Sequence, residues 1–334
     1  MELSNGPLTP GWPLRLAHPH GPLFRLLPLA LRRHLLYWRA MGSWGNFRRP
    51  RTKNEKMQWR IINDRRPIVA MSCDKLACKE YARDVATGEG LNLRIPQTYW
   101  VGTDVRDLQS LAAKLPARWV LKPNHSSGRF ALIDTSVQPV DWERLIAVCN
   151  RWVQRDEEEL GQGHWGYGQA RHLIFAEERI GDGAAVPGIK VRTTHGNVLG
   201  YSAGVGTPPH KKRWQYNSDF ERIAREAPRF NPGDELSVID LLSPESKQTL
   251  ARLGSVLTRD FDHQRCDLYF ANNEFWFGEY SIYATSGLSN QYPAADAAIA
   301  ATWVLTSDPR GLIGQERFMT YLRTKPRATL SGGA

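Results

Sequence analysis

Two segments in the second half of the chain have the pattern of antiparallel strand pairs, and this pattern limits the fold most strongly. In DLYFANNEFWFGEYSIY, residues of different polarity alternate on either side of Asn272 and Asn273, which favour a tight turn. The earlier run IKVRTTHGNVLGYSAGVG predicts two more strands, which turn at Gly196 and Asn197. Strands are therefore expected to dominate the second half.

The first half predicts an alternation of helices and strands. A helical pattern runs from about residue 31 to 66 and stops at Pro67, and another helix is predicted from Lys75 to about Ala86, with Asp74 as its cap. Further helices are predicted near 105–115 and 141–155, and strands at IPQTYWVG, RWVLKP and HLIFAEERI. In the second half, helices are predicted near 245–260 and 293–305. This β-α-β rhythm, combined with the strand pairs, indicates a mixed α+β chain in at least two lobes.

Length and composition exclude several other classes of protein. The chain has 334 residues, enough to bury one or two cores, and 41% of them are hydrophobic. It contains no apolar run near the roughly 20 residues that a membrane crossing needs. The four cysteines are scattered without a CxxC pair, which fits reduced thiols in a cytoplasmic protein and argues against a zinc site. A membrane-spanning, collagenous or fully disordered chain is therefore not expected.

The charge of the chain favours anionic partners. Forty-four Lys and Arg against 34 Asp and Glu give a net charge of +10. The basic residues crowd the stretch 32–60 and recur at 211–213, behind a loose arm rich in Pro, Gly and His at residues 1–20. The segment LFRLLPLALRRHLLYWRAM leaves two interpretations open: a helix that is solvated or packed on the core, which is favoured, and a helix that lies along a membrane surface through residues 20–60.

The segment VLKPNHSSG, residues 120–128, has the features of a phosphate site. A buried strand delivers Lys122 and then gives way to a loop of small polar residues, Asn124 to Gly128, whose backbone N–H groups can bind an anion. The Gly-Lys-Ser/Thr order of a Walker A motif is absent. A solvated lysine followed by an ordinary turn is the alternative interpretation.

The hairpin at 265–283 has the features of a cation site. Arg265 and Asp267 share one strand, and Glu279 and Ser281 share the other; pairing across the turn brings the two carboxylates together. Carboxylates that face each other repel unless a cation lies between them, and Mg2+ with oxygen ligands suits that position. The alternative is a solvated sheet face on which Arg265 neutralises one carboxylate.

A third segment, IFAEERIGDGAAVPGIKVR, lies between these two. Glu177 and Glu178 end an apolar strand, where they can accept hydrogen bonds from an adenine amine or from ribose hydroxyls. Lys190 begins the next strand and can reach a phosphate. The alternative is a solvated Glu-Glu pair at the end of a strand.

Together these segments resemble the ATP-grasp superfamily, and in detail its TupA-like branch, named for teichuronopeptide biosynthesis. The combination of LKPNHSSG, AEE, RCDLY and FGE is specific, and the resemblance runs from about Asn46 to Gly287. It implies an α+β ATP-grasp fold with the nucleotide cleft between two α+β lobes and a helical basic N-terminal extension. The expected divisions are a basic arm and helical segment at 1–66, an α/β lobe at 67–118, a phosphate-loop and adenine-hinge lobe at 119–185, a C-terminal metal-site lobe at 186–325 and a tail at 326–334.

The resemblance also implies a role for each matching residue. Phosphate contacts are expected from Lys75 and Lys122 and from the small-residue loop of Ser126, Ser127 and Gly128. Adenine and ribose are expected to contact the hinge, Glu177 and Glu178, with Lys190 as a further nucleotide contact. Asp267 and Glu279 are expected to bind Mg2+. The catalytic pair is expected to be Lys122 and Arg265, the arginine facing the acyl phosphate and the later oxyanion.

Three positions depart from the family pattern. Ser281 stands where many ATP-grasp enzymes have a metal-binding Asn, Gly188 and Ile189 stand in place of Asp-Tyr, and Arg192 replaces a residue that is commonly apolar. Arg192 therefore becomes a candidate for binding an acidic substrate, with a surface ion pair as the alternative. The other candidate substrate contacts are His125, Ser281 and Ser286.

The resemblance implies an ATP- and Mg2+-dependent ligase that joins a carboxylate to an amine through an acyl phosphate. The expected product is an amino acid or peptide attached to an acidic cell-surface polysaccharide or its precursor, made in the cytoplasm. Two alternatives stay open: a kinase that phosphorylates a sugar or other hydroxyl, and a non-catalytic basic protein that binds glycan or nucleic acid. Nucleic acid is the less expected partner.

Overall fold

The computed structural model describes residues 2–5, 22–154, 157–181, 186–206, 212–223, 235–290, 293–311 and 314–330. The predicted loose arm at residues 1–20 lies almost wholly outside these ranges, as does Lys211 of the second basic cluster. No helix in the described part of the chain is long and apolar enough to cross a membrane.

Helices and strands both contribute to the fold. The α-helices are α1 (Pro22–Leu26), α2 (Leu29–Met41), α3 (Lys53–Asn63), α4 (Pro67–Cys73), α5 (Lys75–Gly88), α6 (Val105–Ser110), α7 (Trp142–Trp152), α8 (Glu157–Gly161), α9 (Pro244–Thr258), α10 (Pro293–Thr302) and α11 (Glu316–Arg323). The strands are β1 (Glu2–Asn5), β2 (Thr98–Gly102), β3 (Arg118–Pro123), β4 (Arg129–Asp134), β5 (Ile174–Glu178), β6 (Gly188–Thr194), β7 (Asn197–Val205), β8 (Lys212–Tyr216), β9 (His263–Ala271) and β10 (Glu274–Tyr280). Short 3-10 turns occupy Ala112–Lys114, Trp165–Gly168 and Ala284–Gly287.

The strands form two sheets of five strands each, with the orders β1-β4-β3-β5-β2 and β10-β9-β6-β7-β8. All pairings between the named strands of the described chain are antiparallel. The predicted α+β class is confirmed. The β-α-β rhythm predicted for the first half is present as β2-α6-β3: both strands pair with β5 in antiparallel register, so they run parallel to each other on either side of it.

Helix boundaries follow local capping chemistry. The single helical stretch predicted for 31–66 is wrong: α2 ends at Gly42, which takes a left-handed φ of 71°, and α3 begins only after Thr52. Thr52 and Glu55 form a reciprocal capping box, which fixes that new start. Asp74 caps α5 as predicted, because its carboxylate accepts a hydrogen bond from the Ala77 N–H at 2.8 Å.

The hairpin of β9 and β10 forms as predicted. Asn272 and Asn273 both have positive φ, 53° and 58°, the combination that a two-residue type I′ turn requires. Glu279 pairs with Asp267, and the register shifts between Phe277 and Glu279. The turn between β6 and β7 differs by one residue from the prediction: the two positive-φ residues are His195 and Gly196.

Two hydrophobic cores support the two sheets. The larger core joins α4, α5 and α9 to β6, β7, β9 and β10, and the smaller one joins α6 and α7 to β2, β3 and β5. The four cysteines are buried free thiols. The separate cores agree with the predicted two lobes, whereas the exact divisions proposed along the chain stay a prediction.

A buried ion cluster connects α3 to the strand that carries the predicted metal site. The Arg60 guanidinium donates to the Asp262 carboxylate at 2.6 Å, and Arg66 lies 3.0 Å from the same oxygen. The other oxygen of Asp262 accepts from the Trp303 indole N–H at 2.9 Å. Since Asp262 immediately precedes β9, this cluster anchors the first residue of that strand.

Replacement of the central carboxylate should destabilise the whole domain. We expect Asp262→Asn to lower the free energy of unfolding by about 3 kcal/mol, because it removes one of the two buried carboxylates, Asp64 and Asp262, that neutralise Arg60 and Arg66. Urea denaturation followed by circular dichroism measures the change, and the exposed Asp219→Asn is the matched control. Equal midpoints for the two variants would contradict this role for the cluster.

Candidate active site

The first residue of α5 brings a lysine to the loop that follows β3. The Lys75 ammonium donates to the Ser126 carbonyl, and it lies 3.9 Å from the Glu279 carboxylate. Asn124 fixes the loop against the helix, because its side-chain oxygen accepts from the Leu76 N–H at 2.9 Å. The predicted phosphate lysine, the small-residue loop and one predicted metal ligand therefore share one cleft.

The loop itself has a group that suits a phosphate oxygen. Asn124, His125 and Ser126 are fully buried, and the Ser126 hydroxyl has no hydrogen-bond partner among the described residues. A buried hydroxyl without a partner costs free energy, and a bound acceptor removes that cost. Gly128 ends the loop with a φ of 69°, a conformation that a residue with a Cβ adopts only with strain. Ser127 faces Tyr167, with which it forms a side-chain hydrogen bond.

Opposite the loop, the Glu177 carboxylate holds two lysines. It accepts from Lys122 at 2.5 Å through one oxygen and from Lys79 through the other. Although burial raises the pKa of Glu177, the positive charges of Lys122 and Lys79 lower it to about 2. Its predicted contact to adenine or ribose remains untested; in this structure the carboxylate positions the two ammonium groups.

A cavity of about 250 Å³ extends from Lys122 between the two sheets. Its walls are largely apolar, contributed by Val120, Phe130, Leu132, Ile180, Val186 and Tyr269. Glu177 and Glu178 lie at its polar edge, where Glu178 is tied to β2 by backbone and side-chain hydrogen bonds with Gln97 of 2.8 and 3.0 Å. An apolar cavity with polar groups along one edge suits a purine base.

The second sheet presents the predicted metal carboxylate in a cationic setting. Arg265 donates to both oxygens of Asp267, at 2.7 and 2.9 Å, and Lys190 donates to one of them. Burial raises the pKa of Asp267, but Arg265 and Lys190 outweigh burial and lower it. Arg265 also donates to the Ser281 hydroxyl at 2.6 Å. Lys190, predicted to contact nucleotide, thus contacts Asp267 here.

The donor set fits a magnesium ion that is shared with phosphate groups. Asp267 and Glu279 are cross-strand neighbours, so two carboxylates converge as predicted. No group of three or more His, Cys, Asp or Glu side chains that could hold a metal exists among the residues that the structure describes. Mg2+ commonly binds through one or two carboxylates with the remaining ligands from phosphate and water, and this pair provides that number.

The remaining sequence candidates lie at different depths. Ser286 is buried: its hydroxyl contacts the His164 imidazole at 2.8 Å, and its carbonyl accepts from Arg33 at 2.7 Å. These contacts hold the 284–287 turn in place, and the predicted contact of Ser286 with substrate stays a prediction. Arg192 lies on the same sheet face as Lys190 and donates to the Tyr201 carbonyl at 3.0 Å.

Sequence reasoning missed Lys79. Its signal is the spacing of Lys75 and Lys79, four residues apart, which places both on one face of α5. The partner, Glu177, lies 98 residues further along the chain. Only the packing of α5 against β5 reveals that pair.

His125 is packed inside the loop. Its ring stacks on His172 with centroids 4.1 Å apart, and Nε2 donates to the Gln154 carbonyl at 2.9 Å. Because Nε2 bears the proton, Nδ1 of the neutral ring is an acceptor, and it has no partner in the described chain. Burial, with the charges of nearby cationic groups, lowers the pKa of His125 from 6.5 to about 4.

Acidification should therefore weaken the fold through His125. Between pH 6.5 and 4 the His125 imidazole is protonated in the unfolded chain but neutral in the folded chain. The free energy of unfolding therefore falls as the pH falls. We expect His125→Gln, whose amide can keep the bond to Gln154, to remove up to about 3 kcal/mol of that loss. Urea denaturation at pH 7 and pH 4 measures the difference, and an identical loss in both proteins would contradict the assignment.

Comparisons with known proteins found a matching family model and several similar solved structures. A model of the family described as TupA-like ATPgrasp matches residues 55–299. Similar solved structures include the ATP-grasp ligase PsnB with its minimal precursor (13% identity, TM-score 0.34, 67% of this chain and 59% of that one). Another is D-alanine–D-alanine ligase from Bacillus anthracis (13% identity, TM-score 0.40, 78% of this chain and 69% of that one). A third is the macrocyclase MdnC from Microcystis aeruginosa MRC bound to precursor peptide MdnA (12% identity, TM-score 0.34, 70% of this chain and 60% of that one).

Among curated proteins, none matches this chain significantly. The chain spans less than two thirds of the length of PsnB.

Proposed function

Because this chain belongs to the TupA-like ATP-grasp family, we propose that it is an ATP-dependent ligase that joins a carboxylate to an amine. ATP and Mg2+ are its cofactors. The products are an amide, ADP and inorganic phosphate, and the route passes through an acyl phosphate. One observation carries the proposal: Lys75, which contacts the phosphate loop through the Ser126 carbonyl, lies 3.9 Å from Glu279, so the phosphate-binding and metal-binding groups share one cleft.

The nucleotide is held by groups already described. The apolar cavity receives the base, the Ser126 hydroxyl and the loop receive phosphate oxygens, and Lys75 and Lys122 neutralise their charge. Asp267 and Glu279 hold Mg2+ against the same phosphates. When bound, the magnesium nucleotide supplies the phosphoryl group that activates the carboxylate.

Arg265 is placed to act on the acid substrate. Its guanidinium is held by Asp267 and Ser281 with short hydrogen bonds, so its direction is set before substrate arrives. A fixed cation beside the reacting carboxylate stabilises the negative charge that develops on its oxygens. The attacking amine needs no protein nucleophile, because the activated carboxylate is itself electrophilic, and the enclosed cleft excludes competing water.

The acid is an acidic cell-surface polysaccharide or its precursor, and the amine is an amino acid or peptide. The net charge of +10 supports a polyanionic substrate. The TupA-like family identity supports the same class.

Removal of the Lys122 ammonium or of the Glu279 carboxylate, one from each wall of the cleft, should stop turnover. We expect Lys122→Ala and Glu279→Ala each to reduce ADP and phosphate release by at least roughly 100-fold, because each removes charge stabilisation of phosphoryl transfer. Release is measured with Mg2+, ATP, acidic sugars and amino acids. Lys114→Ala on the surface and Glu274→Gln at the other end of β10 are the matched controls.

The products separate the proposed ligase from its alternatives. Mass spectrometry should show an adduct equal to the two substrates minus water, together with ADP and phosphate. A gain of one phosphoryl group without free phosphate would establish a kinase instead. Wild-type activity in both variants would contradict the site, and no ATP consumption with any substrate would favour a non-catalytic binding protein.

The same protein is proposed to work at a membrane surface. Leu31 and Trp38 lie two turns apart on the outer face of α2 and are 42% and 52% exposed; Trp44, just beyond the helix, is 60% exposed. Exposed arginines lie near them in the sequence, at positions 39, 48, 49 and 51. Apolar anchors beside cationic side chains suit the interface of a bilayer that contains anionic lipid.

Vesicle binding tests this surface. We expect the protein to co-sediment with phosphatidylglycerol vesicles in a salt-sensitive way, and the double variant Trp38→Ser, Trp44→Ser to bind roughly 10-fold more weakly because its apolar anchors are lost. The exposed Val137→Ser in the other lobe is the control. Equal binding by the two variants, or equal binding to neutral phosphatidylcholine, would contradict the proposal.

A further inference from the structure

The helix that carries Lys75 begins at a buried carboxylate that is bound by a distant arginine. Asp74 is fully buried, and its carboxylate accepts a hydrogen bond from the Ala77 N–H at 2.8 Å. Arg171, 97 residues further along the chain, binds the same carboxylate as a fork: Nη2 donates to Oδ1 at 2.7 Å, and Nε donates to Oδ2 at 2.8 Å. The Arg171 backbone N–H also donates to Oδ2, at 3.0 Å. Bidentate pairing of this kind fixes the orientation of the two groups as well as their distance.

The backbone of Arg171 is tied to the loop that follows β3. The Asn124 side-chain amide donates to the Arg171 carbonyl at 2.9 Å, and its oxygen accepts from the Leu76 N–H at 2.9 Å. The Asn124 carbonyl accepts from the Lys75 N–H at 3.2 Å. Asn124 therefore joins the start of α5, the start of the loop and Arg171, and the backbone of Lys75 is one of the groups that it fixes.

A third contact of the same guanidinium comes from the C-terminal part of the chain. Arg171 Nη1 donates at 2.7 Å to the carbonyl of Thr324, which directly follows α11. That helix is itself joined to α5, because the Tyr321 hydroxyl donates to the Asp84 carboxylate at 3.0 Å. All three nitrogens of the guanidinium are thus hydrogen-bonded. We call this set of residues the Arg171 clamp: Asp74, Asn124, Arg171 and Thr324.

The clamp leaves the Lys75 side chain as the donor that the start of α5 can offer to a phosphate. The first N–H groups of a helix are its usual anion donors. In α5 the first four have acceptors within the clamp, on Asn124 or Asp74. The donors are the N–H groups of Lys75, Leu76, Ala77 and Cys78.

Arg171 also determines where the charge of Lys75 is used. A buried carboxylate attracts a nearby cation, and Asp74 directly precedes Lys75 in the chain. Because Arg171 neutralises that carboxylate, the Lys75 ammonium extends into the cleft. There it contacts the Ser126 carbonyl and lies 3.9 Å from Glu279.

We propose that Arg171 is a positioning residue for the binding of nucleotide phosphates: through Asp74 and Asn124 it sets the position of the Lys75 ammonium. The proposal rests on the proposed function, since it takes Lys75 as a contact of those phosphates. The guanidinium acts without touching a phosphate, because Asp74 and Thr324 occupy its three nitrogens. Loss of the fork should therefore weaken the binding of phosphate groups and leave the binding of the base unchanged.

Replacement of Arg171 by lysine tests the fork and keeps a positive charge beside buried Asp74. A lysine ammonium is a point charge that cannot reproduce the planar fork. We expect Arg171→Lys to weaken binding of a non-hydrolysable ATP analogue with Mg2+ by roughly 10-fold, because a small displacement of a charged group is costly. Binding of adenosine, which has no phosphate, should stay unchanged and so show that the fold is intact. Isothermal titration calorimetry measures both affinities.

The matched control is Arg106→Lys. Arg106 also pairs with a helix-capping aspartate, Asp104 at the start of α6, but both side chains of that pair are exposed. Both affinities should keep their wild-type values in this variant.

A double-mutant cycle shows whether Arg171 acts through Lys75. Lys75→Ala alone should weaken binding of the ATP analogue, and Arg171→Lys should cause no further loss in that background, because the group that Arg171 positions is gone. A full additional loss in the double variant, an equal loss for adenosine, or wild-type affinity in Arg171→Lys would each overturn the proposal. Failure of the proposed function has a different signature: Lys75→Ala would itself bind the analogue as tightly as the wild-type protein.

Discussion

Hydrogen bonding between β6, β9 and β10 is the constraint on which the candidate site depends. The register places Lys190, Asp267 and Glu279 in one row across three strands, and it places Arg192 beside Arg265 in the next row. A slip of one residue would turn each of these side chains to the opposite face. The residues that anchor the register are remote from the chemistry: the turn at Asn272 and Asn273, and the buried ion cluster around Asp262.

The first sheet contributes the other wall by a different device. Lys122 lies on a strand and Lys79 on a helix, and both converge on the Glu177 carboxylate. Buried like charges would repel if that carboxylate were absent. Glu177 therefore has a positioning role, because its carboxylate offsets the repulsion between the two buried ammonium groups and holds both of them in the cleft.

Local chemistry predicted more of the fold than of the site. Asp74 before α5, and Asn272 with Asn273 between two alternating runs, are local signals, and the structure confirms both. The approach of Asp267 to Glu279 followed from that turn. The pair of Lys79 with Glu177 joins elements far apart in sequence, and a pattern within either segment contains no information about the other. The same reason applies to the insertion of β5 between β2 and β3, because β5 comes from a later segment of the chain.

Charge balance links the two walls during binding. Lys122 and Lys190 neutralise Glu177 and Asp267 in the structure. A triphosphate that reaches Lys75 and Lys122 brings several negative charges next to Glu279, so a divalent cation must arrive with it to keep the cleft near neutrality.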